Sequence, residues 1–191
     1  MESLIDAAAR SAHRAAQYVL SLQRPEGYWW ADLTGADATL EADYILVELW
    51  LHPPENGVWN PPTRERIQRA VKSILARQLP DGGFNIYARG PADVSATVKA
   101  YFALKLAGVP TDDPRMVAAR ERILSLGGIQ ACNSYVKLNL SLFGLYPREH
   151  CPSIPPEMIL LPHKFIYRMS SWTRAIVVPL AIVHAANPAR P

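Results

Sequence analysis

Arg14 to Trp29 reads RAAQYVLSLQRPEGYW, and Arg69 to Phe84 reads RAVKSILARQLPDGGF. The two stretches align without a gap and share Arg, Ala, Leu, Gln, Pro and Gly at matching positions, each closing on an aromatic residue. In the first, Ala12, Ala15, Ala16, Val19, Leu20 and Leu22 recur at helical spacing and make an apolar face. Gln23 and Gln78 fall at the helix ends, where backbone groups lack partners. Gly27 and Gly82 then permit a tight turn with positive φ. The expected role of the glutamine amide is to bond free N–H groups of the next helix and stack beneath the following aromatic, Trp29 or Phe84. Arg120 to Ile129 (RERILSLGGI) keeps the helix and glycines of this unit but lacks the Gln and the aromatic.

Helical signals fill the rest of the chain. Leu40 to Leu51 (LEADYILVELWL) is strongly apolar, with Thr39 as its expected cap. Val94 to Ala107 follows Asp93 as N-cap and closes at Gly108. Asp113 caps a helix that has Pro114 at its first position. Asn133 to Phe143 ends at Gly144, and Ser171 to Ala186 carries Pro179, which is expected to bend it. No segment alternates as a strand does. A Gln/Gly/aromatic unit roughly every 50 residues in a run of helices predicts an all-α chain of stacked helix pairs, an α/α toroid rather than a four-helix bundle.

Composition narrows the function classes. The 191 residues are 49% hydrophobic and 19% charged, which is globular composition. Seventeen prolines sit mostly in loop clusters such as Pro53-Pro54 and Pro61-Pro62. The net charge of +3 is scattered, which does not argue for nucleic acid. Cys132 and Cys151 form no C-x-x-C pair, so reduced thiols are expected and a metal site is not. Met1 to Arg10 lacks the apolar core of a signal peptide, and Ala175 to Val183 is far short of the ~20 residues of a spanning helix.

The Q-x-x-x-G-x-W/F unit resembles the QW motif of squalene and oxidosqualene cyclases. EGYWW (Glu26 to Trp30) followed by LEADY (Leu40 to Tyr44) resembles the start of bacterial squalene–hopene cyclases. GPADVSATVKAYFALK (Gly90 to Lys105), IPPEM (Ile154 to Met158) and SSWTRAIVVPLAI (Ser170 to Ile182) resemble further segments of that family, in family order. Prenyltransferase β-subunits have comparable repeats, but they would require Asp/Cys/His zinc ligands that the separated cysteines do not supply.

The resemblance implies an incomplete α/α toroid. Residues 1–35 would give the first helix and QW turn of the catalytic barrel, and 36–191 most of a smaller inserted barrel. The C-terminal catalytic barrel would be absent. It also implies proton-initiated polycyclisation of squalene to hopene or hopanol, in hopanoid biosynthesis, without a cofactor. The family's acid is an aspartate of a D-x-D-D cluster, which this sequence lacks; Asp112-Asp113 precedes Pro114 and reads as capping. The chain is therefore expected to have no catalytic residue and to be inactive alone.

The implied cavity-lining residues are Trp172, in the family's S-W-x-R segment, and Asp43, where the family usually carries Glu. Lys99 stands where some relatives have an acid and receives no role; Arg174 is expected to anchor a loop or a carboxylate. Gln23, Gly27, Trp29, Gln78, Gly82 and Phe84 are the structural repeat residues, with Trp30 also placed in the repeat turn. The partners implied are squalene or a related isoprenoid lipid, a C-terminal cyclase half and a second copy of the chain. The implied location is the cytoplasm, at the inner face of a bacterial membrane. The alternative reading is a non-catalytic α-toroid module that binds an isoprenoid lipid or a partner.

Overall fold

In the computed structural model, which describes residues 3–29 and 38–188, eight α-helices and three short 3-10 helices follow one another. No strand occurs among the described residues; the nearest thing is an isolated antiparallel bridge between Glu55 and Val58. The all-helical expectation therefore holds, as does the helical fold implied by the resemblance. The chain divides into two compact units, Met1–Gly35 and Ala36–Pro191.

The first unit contains α1 (Leu4–Ser21), capped by Ser3, whose hydroxyl accepts from the Asp6 N–H at 3.2 Å. The helix is strongly amphipathic but buries none of its residues. Trp30 lies outside the described residues.

The second unit is built around α4 (Val94–Leu106). Nearly every side of this helix is buried, Lys99 included, as expected for a helix apolar all round at the centre of a domain. It packs against α2 (Thr39–Leu51), α3 (Arg64–Ala76), α5 (Pro114–Ser125) and α6 (Ser134–Leu142). Helices two apart in the chain thus lie side by side (α2 on α4, α4 on α6). The intervening α3 and α5 bury one stripe each, Ile67, Ala70 and Ile74 on α3 and Met116, Ala119 and Ile123 on α5. That is the inner and outer layering of stacked helix pairs.

Two apolar clusters result. Ala96, Ala100, Ala103 and Leu104 of α4 join Ala42, Ile45, Ile67, Ile74 and Phe84 in one. The small α4 side chains let the backbones of neighbouring helices approach. Val98 and Phe102, on the opposite side of α4, join Leu46, Val136, Leu140 and Tyr146 in the other. Both cysteines are free and buried in this second cluster.

Asp93 and Asp113 cap α4 and α5 as expected, and Asn133 and Ser170, which were not expected as caps, cap α6 and the helix Ser171–Ala186. Asp93 accepts from the Ala96 N–H at 2.9 Å, Asn133 from Val136 at 3.0 Å and Ser170 from Thr173 at 3.1 Å. After α4 the Val109 N–H bonds the Leu104 carbonyl and Gly108 bonds Lys105; after α6, Leu145 bonds Leu140 and Gly144 bonds Ser141. Both are Schellman closures, with the glycine in the left-handed region. The start of α2 also differs from expectation: Ala38 holds the N-cap position of α2, and Thr39 is its first helical residue.

The region after α6 is less regular. Ile154 to Met158 enters a 3-10 helix, Pro156–Leu160, which packs on α8 (Ser171–Ala186); the one-turn α7 (His163–Ile166) lies between them. Pro179 sits inside α8, where it donates no backbone hydrogen bond.

Candidate functional site

The two glutamine units fold alike. Gln23 Nε2 donates to the Gly27 carbonyl at 2.7 Å, and Gln78 Nε2 donates to the Gly82 carbonyl at 2.8 Å. Around the same turn, the Arg24 N–H bonds the Tyr28 carbonyl and Gly27 bonds Arg24, just as Leu79 bonds Gly83 and Gly82 bonds Leu79. Gly27 and Gly82 have φ of 91° and 83°. The sequence repeat is thus a repeat of hydrogen bonds.

The contact to the next helix differs from expectation. Gln78 Nε2 donates at 2.8 Å to the carbonyl of Arg115, in the first turn of α5. The link runs from the amide nitrogen to a carbonyl, not from the amide oxygen to free N–H groups. The aromatics also diverge. Phe84 is 1% exposed and sits in the first core, whereas Trp29 is 49% exposed and donates through Nε1 to the Val19 carbonyl at 2.6 Å.

A cavity of about 380 Å³ opens between α2, α6 and the end of α8. Its wall is apolar and partly aromatic: Leu46, Val47 and Trp50 from α2, Tyr135 and Phe143 from α6 and its end, Val183 from α8. Trp50 and Phe143 meet edge to face, with ring centroids 5.8 Å apart, and Phe102 supports Phe143 from behind at 5.4 Å. Among the described residues lining the cavity, Asp43 is the one with a formal charge.

Asp43 does not face the cavity as a bare carboxylate. Lys99 Nζ lies 3.0 Å from both of its oxygens. The lysine, 6% exposed, comes from the buried α4 and also lies 5.5 Å from the centroid of the Tyr135 ring. The residue assigned no role is therefore the partner of the residue singled out. Sequence reasoning reached Asp43 but not Trp50, Tyr135 or Phe143. Helical spacing carried a usable signal for part of the wall, since Asp43, Val47 and Trp50 lie at i, i+4 and i+7, as do Tyr135, Asn139 and Leu142.

Trp172 is not brought together with Asp43. It stands in the first turn of α8, 75% exposed, and is not among the residues lining this cavity. It begins a stripe of exposed side chains along α8 that continues through Ala175, Ile176, Pro179 and Ile182. Arg174 anchors the preceding loop, donating through Nη1 to the Met169 carbonyl at 2.6 Å, with its guanidinium 4.9 Å from the centre of the Tyr167 ring.

Asp113 behaves as a cap. Its carboxylate accepts from the Arg115 N–H at 2.9 Å and pairs with that guanidinium at 3.1 Å. These hydrogen bonds to Arg115, from the side chain foremost and then the backbone, hold its carboxyl below the usual carboxylate range. A carboxyl held in its ionised form is the opposite of a proton donor.

The family model for the squalene-hopene cyclase N-terminal domain matches residues 12–191. The chain belongs to this family. It is similar to the squalene–hopene cyclase of Alicyclobacillus acidocaldarius, 37% identical over all of this chain and 30% of that protein. It is 38% identical to the squalene–hopene cyclase of Zymomonas mobilis, over 92% of this chain and 26% of the relative. A dammaradiene synthase of Dryopteris crassirhizoma is 31% identical over 92% of this chain and 25% of its own length. The chain thus spans under a third of these curated relatives. As a squalene-hopene cyclase N-terminal domain, it presents two QW turns and, between α2, α6 and α8, a mostly apolar cavity.

Proposed function

We propose that this chain is the N-terminal part of a squalene–hopene cyclase and contributes scaffold and cavity wall, but no acid, to proton-initiated polycyclisation of squalene. Protonating a carbon–carbon double bond requires a carboxyl kept protonated in a dry site, and a D-x-D-D cluster is the family's means of doing so. The supporting observation is that these 191 residues contain no such cluster, while their adjacent acidic pair, Asp112-Asp113, is used in a helix cap. The chain alone would therefore not start the reaction.

What it would supply is an apolar surface suited to carbocations. Cations in a polyene cyclisation are stabilised by π-faces and quenched by free bases or water. The cavity with Trp50, Tyr135 and Phe143 has that character. The exposed stripe of α8 that begins at Trp172 is a surface for the C-terminal part of the enzyme to cover, and Trp172 would then line the completed cavity. In this reading Met1–Gly35 belongs to the catalytic barrel and Ala36–Pro191 to the smaller one. The substrate's residence in a bilayer implies peripheral contact with the inner membrane face. Among the described residues no helix is long and apolar enough to cross a membrane.

The test is product formation. The purified chain incubated with squalene should give no cyclic product by gas chromatography. Co-expression with a C-terminal cyclase fragment that carries D-x-D-D should give hopene or hopanol. Hopene from the chain alone would overturn the assignment of the acid, and no product from the combination would count against the split.

A further inference from the structure

We infer that Lys99 is a specificity-determining residue: it turns the charged group on the cavity wall into a neutral pair, so that the cavity selects uncharged apolar ligands over amines of the same size. The ligand class, an isoprenoid hydrocarbon, rests on the cyclase reading above; the charge selection rests on the geometry.

An apolar cavity that carries one unpaired carboxylate is an amine site. Desolvation strengthens the attraction of the carboxylate for a cation, and nothing else on such a wall competes. Asp43 stands on such a wall beside Val47 and Trp50. Lys99 occupies the position an amine ligand would take, its Nζ 3.0 Å from each carboxylate oxygen. A ligand ammonium approaching Asp43 meets this second positive charge.

The lysine is not free to swing aside. It is buried to 6% exposure within α4, which is packed on several sides, and an ammonium withdrawn from its carboxylate there would be buried without a counter-charge. The Tyr135 ring, 5.5 Å from Nζ, adds a second weak hold. Asp43 is the more open partner, its side chain 36% exposed. The pair therefore presents hydrogen-bonded, charge-compensated oxygens to the cavity. For a site that is to hold a hydrocarbon, and in the cyclase reading a transient carbocation, this removes the base that would otherwise capture it.

The experiment reads binding without turnover, by displacement of the uncharged dye Nile red from the full chain. The probes are farnesyl methyl ether, which is neutral, and N,N-dimethylfarnesylamine, which is cationic at neutral pH and nearly the same size. The wild type should bind the ether at least about tenfold more tightly than the amine. Lys99→Met should reverse that order, and Lys99→Arg should keep it. Lys99→Gln serves as the second neutral variant if Lys99→Met loses its helical circular dichroism.

A wild type that binds the amine as well as the ether, a preference unchanged in the neutral variants, or displacement by neither probe would each overturn the inference. Failure of co-expression to yield cyclic product would sink the cyclase reading and leave this ratio standing.

Discussion

The side-chain nitrogen of Gln78 reaches the Arg115 carbonyl at 2.8 Å, joining the end of α3 to the start of α5 across 37 residues. The same nitrogen closes its own turn on Gly82. Among the described residues, Gln23 makes the local counterpart of this arrangement, to Gly27. Gln78→Ala should therefore destabilise the protein by ~1–3 kcal/mol, because the partly buried bond to Gly82 and the exposed bond to Arg115 are lost together. Gln23→Ala should cost less, about 0.5–1 kcal/mol. Urea titration followed by circular dichroism at the helix signal distinguishes the two, and equal costs would show that the link to α5 is energetically idle.

Gly82 and Gly27 share a backbone conformation but not surroundings. A Cβ on Gly82 would lie 2.7 Å from the backbone carbonyl atoms of Ala118 on α5, whereas one on Gly27 meets nothing within 4 Å. Gly27→Ala should cost only the left-handed strain, about 1–2 kcal/mol. Gly82→Ala adds a clash with backbone that cannot rotate away, and should cost more than about 3 kcal/mol. Thermal unfolding of the two variants gives the comparison directly.

The Asp43–Lys99 pair should respond asymmetrically to truncation. Asp43→Ala strands a buried ammonium, a loss of roughly 3–5 kcal/mol by analogy with broken buried pairs. Lys99→Met leaves a carboxylate that is still partly open to water and replaces the ammonium with an apolar end of similar length. That change should cost no more than about 1 kcal/mol. Denaturant midpoints measured at one pH decide the order; the reverse order would mean that the carboxylate is the more deeply committed partner.

Burial pushes the Cys132 thiol above its ordinary range, against a smaller opposing effect of Lys137. The thiol should therefore stay protonated, and react slowly with a disulfide reagent, at a pH where an unfolded cysteine ionises. The unfolded chain loses its proton first as pH rises, so the folded state binds more protons there. Stability should then fall as pH climbs through about 8.5, the ordinary thiol value, and on toward the raised one. Cys132→Ala should remove that part of the alkaline slope, as read from unfolding midpoints across the range.

Much of the helical framework is legible in the chain. Caps at Asp93 and Asp113, and stops at Gly108 and Gly144, appear where those residue types predict them, because capping is settled by neighbours three or four residues away. The internal match of Arg14–Trp29 to Arg69–Phe84 likewise translates into matching hydrogen bonds. The 3-10 helix at Pro156–Leu160 was not legible, since its prolines fit a loop equally well and its packing on α8 is a tertiary fact.

The sequence by itself determined the all-helical class, the long helices with many of their ends, and the family, because these depend on short-range spacing and residue chemistry. Tertiary structure alone decided which side chains share a space. It set Lys99 against Asp43 over 56 residues, closed Gln78 on Arg115, buried Phe84 while leaving Trp29 half open, and kept Trp172 away from the Asp43 cavity. Helical periodicity says which face of a helix is apolar, but the angle and order in which helices pack determine what that face meets.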